Sequence, residues 1–243
     1  MKVTFFGSSH GFPEPNRKCS CILLEAGDRK YLIDAGTNPM DPLTDRGYTP
    51  DVITAIFITH MHGDHTHGLI PFLDLCSWYY KTANPVTYLP DLRAREAIDN
   101  WMDITGTHLR PELLFRAVEE GLFYDDGVIR VTALRTGHTD QSFAFIVEAE
   151  GKKVLFTGDM KVYTGVEEDY ARFVKGQTFD LVVAEGAHFS ALLYEPFIRS
   201  DPPKRFCMNH YSIIMADTVY ALRTKVKDLL PFYLATDGLE ISF

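Results

Sequence analysis

Six consecutive residues, His60-Met61-His62-Gly63-Asp64-His65, bring together three imidazoles and a carboxylate. These are ligands for borderline divalent cations. The apolar, β-branched run at 52–58 reads as a buried strand leading into them. Side chains two apart on an extended backbone point the same way, so His60 and His62 can converge on one point. After Gly63 the chain can turn, and Asp64 and His65 can face a second point nearby. Solvated loop histidines are the alternative, but so many ligand types at a strand-to-helix break favour metal.

Elsewhere in the chain, apolar runs repeatedly end in a residue that can do chemistry. Residues 30–33 lead to Asp34, 128–134 to His138 and 153–156 to Asp159. Residues 179–184 lead to Glu185 and His188, and Cys207-Met208-Asn209 leads to His210. One aspartate at a strand end reads as a turn former. Six such endings, that of 52–58 at His60 included, read as strand ends gathered along one edge of a sheet.

The elements that must position them follow from pattern. Strands are expected at 2–6, at 21–25 and 30–33 (a hairpin about Gly27), at 52–58, at 86–89 and at 128–134. Further strands are expected at 142–148 and 153–156 (a hairpin about Gly151), at 179–184 and, closing the chain, after 232–238. Helices are expected at 66–80, with N-terminal amides beside the metals that would favour an anion, and at 216–229. Residues 91–118 hold helical patterns broken by Gly106 and Pro111 and read as a helical rim or lid. The two β-rich halves could pack face to face with helices outside, as a single domain over 1–243.

Composition narrows the class. Hydrophobic residues make up 46% of the 243, enough for a sizeable core, and no run approaches the length of a membrane span. Four cysteines make no disulfide framework, and the opening residues resemble no signal peptide, so cytoplasmic residence is expected. The net charge of −9 argues against broad nucleic-acid binding, although two divalent cations would add four positive charges at the site.

The order Asp34, His60-x-His62-x-Asp64-His65, His138, Asp159, His210 resembles the metallo-β-lactamase superfamily of metal-dependent hydrolases. The resemblance covers nearly the whole chain and implies a four-layer αβ/βα sandwich (an α/β fold) with a two-metal site at one edge. Carried over by position, it implies that His60, His62 and His138 hold one ion, and Asp64, His65 and His210 the other. Asp159 would bridge the two, and Asp34 would orient ligands from behind. The ions expected are Zn²⁺ or, alternatively, Mn²⁺.

Within the superfamily, the chain resembles the phosphodiesterase branch that includes the tRNA-processing endonuclease RNase Z. Gly7-Ser8-Ser9 through Pro13 is similar to that branch's first loop. Asn209-His210-Tyr211-Ser212 is similar to its His-aromatic-Ser motif, and Ala235-Thr236-Asp237-Gly238 to its C-terminal motif. The branch's His-Glu-Ala-Thr motif falls at 184–187, where its catalytic histidine is Ala184. Glu185 is kept, and His188 or a metal-bound water is left as proton donor. No long Gly/Pro-rich arm is found.

The expectation is therefore a dinuclear hydrolase using a bridging hydroxide aimed by Asp64, acting on a small or nucleotide phosphodiester, cyclic ones included. Tyr211 and Ser212 are candidates for phosphate contacts, with plain packing as the alternative. Extended tRNA binding and a membrane partner are not expected, and a homodimer is allowed. The competing readings are a lactone, thioester or β-lactam hydrolase, an RNase Z-like RNA endonuclease, and a noncatalytic metal-binding protein. His67 and His108 read as surface residues and His10 as a loop residue or a neighbour of the site. Cys19 and Cys21 lack partners for a tetrahedral zinc set and read as packed thiols.

Overall fold

Alternation along the strands decides the layering. In β2 (Cys21–Ala26), Ile22 and Leu24 enter one core while Cys21 and Leu23 enter another. In β11 (Leu181–Ala184), Leu181 and Val183 face the first of these cores and Val182 and Ala184 a third. A strand that is apolar on both faces needs cover on both sides. The computed structural model, which describes residues 1–243, supplies it with two sheets packed face to face and helices outside each.

The first sheet has the order β14 (Glu240–Ser242), β1 (Lys2–Gly7), β2, β3 (Arg29–Ile33), β4 (Ile53–Phe57), β5 (Val86–Leu89), β6 (Phe115–Ala117). The second runs β13 (Phe232–Leu234), β12 (Phe206–Met208), β11, β10 (Lys152–Phe156), β9 (Phe143–Ala149), β8 (Arg130–Arg135), β7 (Gly121–Asp125). In chain order, each sheet begins with antiparallel pairings and goes on to parallel ones, β3 to β6 in one and β10 to β13 in the other. Parallel strands put their C-terminal ends on one side, so the repeated pattern gathers the ends of β3 and β4 with those of β10, β11 and β12.

Between the sheets, Tyr31, Phe57, Phe145 and Phe156 are fully or almost fully buried. Each such side chain contributes about 1.5–3 kcal/mol by leaving water. Helices α1 (Met40–Thr44), α2 (Gly63–Thr66), α3 (Leu69–Trp78) and α4 (Arg93–Thr105) lie on the first sheet's side, where Leu69, Phe72, Ile98 and Met102 meet the strands. A π-helical turn (Val166–Tyr170) running into α5 (Ala171–Val174), with α6 (Glu195–Ser200) and α7 (Ala216–Val226), lies on the second. This is the expected four-layer sandwich. No helix is long and apolar enough to cross a membrane.

Several elements differ from their sequence expectation. The helix expected at 66–80 is two, α2 and α3, broken at His67-Gly68. Gly68 N donates to the Ala35 carbonyl at 2.7 Å, and a Cβ there would stand 2.0 Å from the Thr37 carbonyl oxygen, so the chain presses against the loop after β3 and cannot continue as one helix. The amides next to the site therefore belong to a single turn, not to the end of a long helix. Within 91–118, α4 is helical but 115–117 is a strand paired with β5. The half-exposed edge strand β7 and the helical turns at 166–174 and 195–200 gave no periodic signal of adequate length.

Candidate metal centre

Six strand ends converge. Asp34 follows β3, while His60 and His62 follow β4 and lead into Asp64 and His65 on α2. His138 comes from the β8–β9 loop, Asp159 follows β10, Glu185 and His188 follow β11, and His210 follows β12. All seven proposed ligand residues are brought together. His60, His62 and His138 form one group and Asp64, His65, Asp159 and His210 another, with donor atoms inside each group within 4.8 Å of one another.

Asp159 stands between the groups. Its Oδ1 lies 3.5 Å from His65 Nε2 and 3.2 Å from His210 Nε2. Its Oδ2 lies 3.7 Å from both His60 Nε2 and His138 Nε2. His60 Nε2, His65 Nε2, His138 Nδ1, His210 Nδ1 and Asp159 Oδ1 are buried without a hydrogen-bond partner. Buried polar atoms are nearly always paired. His60 Nε2, His65 Nε2 and Asp159 Oδ1 are unpaired and lie together, an imidazole-and-carboxylate set that fits divalent cations, whereas the unpaired Nδ1 atoms of His138 and His210 are the ring nitrogens opposite those that approach Asp159.

The electrostatics agree. Burial drives His60 down to about 2, helped by the charge of His65, so it offers a neutral nitrogen. His138 is also lowered, mainly by burial. Burial would lower His65 as well, but the carboxylates of Asp34 and Asp159 more than reverse it. Asp159 is held well below the usual carboxylate range, against burial, by His210 and His65. The positive charge these carboxylates draw onto His65 is charge that a bound cation would supply.

Asp34 supports this edge from behind. It takes a left-handed backbone (φ +60°) at the end of β3, and its Oδ2 accepts from His65 Nδ1 at 2.7 Å. That bond leaves His65 Nε2 facing the site. Asp34 Oδ1 accepts from Thr59 N at 2.8 Å, and the Thr59 hydroxyl, 3.0 Å from each carboxylate oxygen, also lies 3.1 Å from His60 Nδ1. Thr59 was not singled out from sequence, where its only mark is its place just before the first histidine. The α2 turn is locked to the same loop: Ala35 N donates to the His65 carbonyl at 2.8 Å.

Glu185 is almost wholly buried, and its carboxylate accepts from the backbone N–H groups of Met160, Ala187 and His188. It also holds His188 Nδ1 at 3.0 Å. The other ring nitrogen, Nε2, lies 3.9 Å from Asp159 Oδ2, with the ring against that of His138. Burial lowers His188, yet the hydrogen bond and charge of Glu185 outweigh it and push the ring up to about 9.

The three terminal motifs meet behind His210. Asp237 Oδ1 accepts from Ser8 N and Oγ, its Oδ2 accepts from Lys18 N, and the Ser8 carbonyl accepts from His210 N. Tyr211 is buried with Arg17 stacked 4.1 Å over its ring, and the Ser212 hydroxyl accepts from Met215 N at the start of the next turn. Both have structural partners here. His10 is held by Glu14 Oε1 at 3.3 Å in the first loop. His67 and His108 are exposed and outside both groups, and all four cysteines are buried and unpaired.

The model of the metallo-beta-lactamase superfamily matches residues 15–184. The chain belongs to that superfamily. A ribonuclease Z from an Exiguobacterium species is 30% identical over 172 residues, 68% of this chain and 55% of the relative. Human tRNase Z, short form, superposes with a TM-score of 0.76 at 25% identity, covering 100% of this chain and 99% of that one. A diphosphatase of the PhnP family shares the fold, with a TM-score of 0.70 at 15% identity over 100% of this chain and 97% of that one. The chain spans about half to two thirds of the length of the first curated relatives it matches. Superfamily membership and the His/Asp edge together fit a divalent-metal site.

Proposed function

We propose that the chain is a metal-dependent hydrolase, a phosphodiesterase with two divalent cations, Zn²⁺ first, at the edge described. The observation that carries the reading is Asp159, whose two oxygens face different histidine groups while its own Oδ1 and the Nε2 atoms of His60 and His65 beside it lack partners. His60, His62 and His138 would hold one ion, and Asp64, His65 and His210 the other, with Asp159 shared. Bound there, the ions would bring a water's pKa toward neutrality and neutralise charge on a phosphate oxygen.

The chain's own residues then have distinct tasks. Asp34 and Thr59 fix the tautomer and angle of His65. Asp64 accepts a hydrogen bond from the attacking water and aims it. Glu185 keeps His188 charged and points Nε2 at the centre, and His188 hands its proton to the departing oxygen. A ribose oxygen leaves poorly as an alkoxide, so this proton matters most for nucleotide substrates. The proton donor of the related branch thus moves from the position of Ala184 to His188, on the same Glu185.

The names of the relatives bear on the substrate. The acidic balance and the lack of an arm pointed away from tRNA, but sequence relatives and a structural neighbour named for RNase Z activity pull the reading back toward RNA. A nucleotide phosphodiester, small or at an RNA 3′ end, satisfies both. The test is a panel run with Zn²⁺ and with Mn²⁺: bis(p-nitrophenyl) phosphate, 2′,3′-cyclic nucleotides, a tRNA precursor with a 3′ trailer, a lactone and a thioester. Turnover of the phosphodiesters is expected, and the ratio of kcat/KM values separates RNA from small substrates. Turnover confined to the lactone or thioester would overturn the proposal.

A further inference from the structure

We propose that Asp169 is a positioning residue for the metal centre, fixing the loops of His138 and Asp159 against each other. This rests on reading those two residues as ligands. Asp169 lies in the π-helical turn Val166–Tyr170, a rare backbone form often found near functional sites. In the acidic run Glu167-Glu168-Asp169 the two glutamates are exposed, whereas Asp169 is buried.

Its Oδ2 accepts two backbone N–H groups, Gly137 at 2.9 Å and Lys161 at 3.0 Å. Gly137 immediately precedes His138, and Lys161 follows Asp159 by two. One oxygen therefore receives an amide from each of two loops that leave different strands, β8 and β10. Between Asp159 and Lys161, Met160 N donates to Glu185 Oε1 at 2.8 Å, so consecutive amides behind Asp159 are held by two buried carboxylates. Asp169 Oδ1 lies 3.3 Å from Arg172 Nη2, and that nitrogen donates to the Arg135 carbonyl at the end of β8 at 2.7 Å. The clamp thus grips the His138 loop at two points.

A purely structural carboxylate would also satisfy these donors, and the two accounts differ in what they say about metal affinity. Ligand-orienting partners typically change affinity by about ten- to a hundred-fold. The experiment measures zinc affinity on the full chain by competition with a chromophoric chelator, for the wild type, Asp169→Ala, Asp169→Asn and Asp180→Asn. Asp180 is a suitable control: its carboxylate accepts from Lys153 N at 3.0 Å and from Lys204 Nζ at 2.9 Å, at the far end of β10 from Asp159.

Asp169→Ala is expected to weaken zinc binding about ten- to a hundred-fold. Asp169→Asn, which keeps one oxygen for the two amides but loses Arg172, should fall between it and the wild type. Asp180→Asn is expected to lower the melting temperature and leave zinc affinity unchanged. A folded Asp169→Ala chain with wild-type affinity overturns the inference. If that variant does not fold, wild-type affinity in Asp169→Asn does so. A wild-type chain that takes up no zinc overturns the metal-centre reading itself, and this inference with it.

Discussion

Replacing His188 with alanine should damage catalysis in proportion to how badly the leaving group needs a proton. The ring makes no side-chain hydrogen bond except to Glu185 and is 22% exposed, so its loss should leave the fold intact. General-acid catalysis is worth about 100- to 10,000-fold, or roughly 2.7–5.4 kcal/mol at about 1.36 kcal/mol per factor of ten. With a ribose oxygen leaving, His188→Ala should lose that full range in kcat. With p-nitrophenolate, which departs without a proton, the loss should stay below about ten-fold. Glu185→Gln adds a pH signature. His188 is pushed up to about 9, so it is charged below that value, and the rate with a poor leaving group falls as pH rises through it. Removing the Glu185 charge lowers the ring's pKa, so in Glu185→Gln the fall begins at lower pH. Bound dications would shift both profiles downward together and preserve their order. The assay is kcat against pH for a 2′,3′-cyclic nucleotide and for bis(p-nitrophenyl) phosphate. Equal losses on both substrates, or coincident alkaline limbs, would refute the assignment of His188 as proton donor.

Other expectations can be checked separately. Asp64→Ala should abolish phosphodiester turnover while circular dichroism stays native, and retained hydrolysis would remove Asp64 from the mechanism. In Gly36→Ala the new Cβ would stand 1.7 Å from the Asp64 carbonyl oxygen, so the α2 turn must shift; metal content per chain should drop, and an unchanged content would show that the contact yields. Asp126, in the turn between β7 and β8, accepts from Tyr31, Tyr124 and Arg29 and from two backbone amides. Burial raises its carboxyl, but these donors win and hold it below the usual range. It therefore stabilises the fold above an unfolded-state pKa of about 3.9, and that contribution is lost as pH falls through the folded value. Asp126→Asn should cost about 1–3 kcal/mol in urea melts at pH 7 and flatten the loss of stability on acidification. Parallel acid limbs for variant and wild type would discount the staple.

Much of the centre was legible because it is local. His60 to His65 carry their ligand types within six residues, and apolar runs ending in His, Asp or Glu mark strand ends whatever they later pair with. The split of the 66–80 helix was not legible, because what breaks it is the distant loop at Thr37 against Gly68. Nor was β6, a three-residue strand whose identity comes only from pairing with β5.

By itself, then, the sequence determined the donor chemistry and the order of the strand ends, and its two β-rich halves pointed to two sheets face to face with helices outside. Tertiary structure decided which donors meet. It set the two oxygens of Asp159 toward different histidines, placed Thr59 behind both His60 and His65, and joined Ser8 to Asp237 across the chain. It also buried Asp169 while leaving Glu167 and Glu168 in water. Ligand type and spacing belong to a short stretch of chain, whereas burial and hydrogen-bond partnership depend on the parallel registers that bring distant strand ends to one edge.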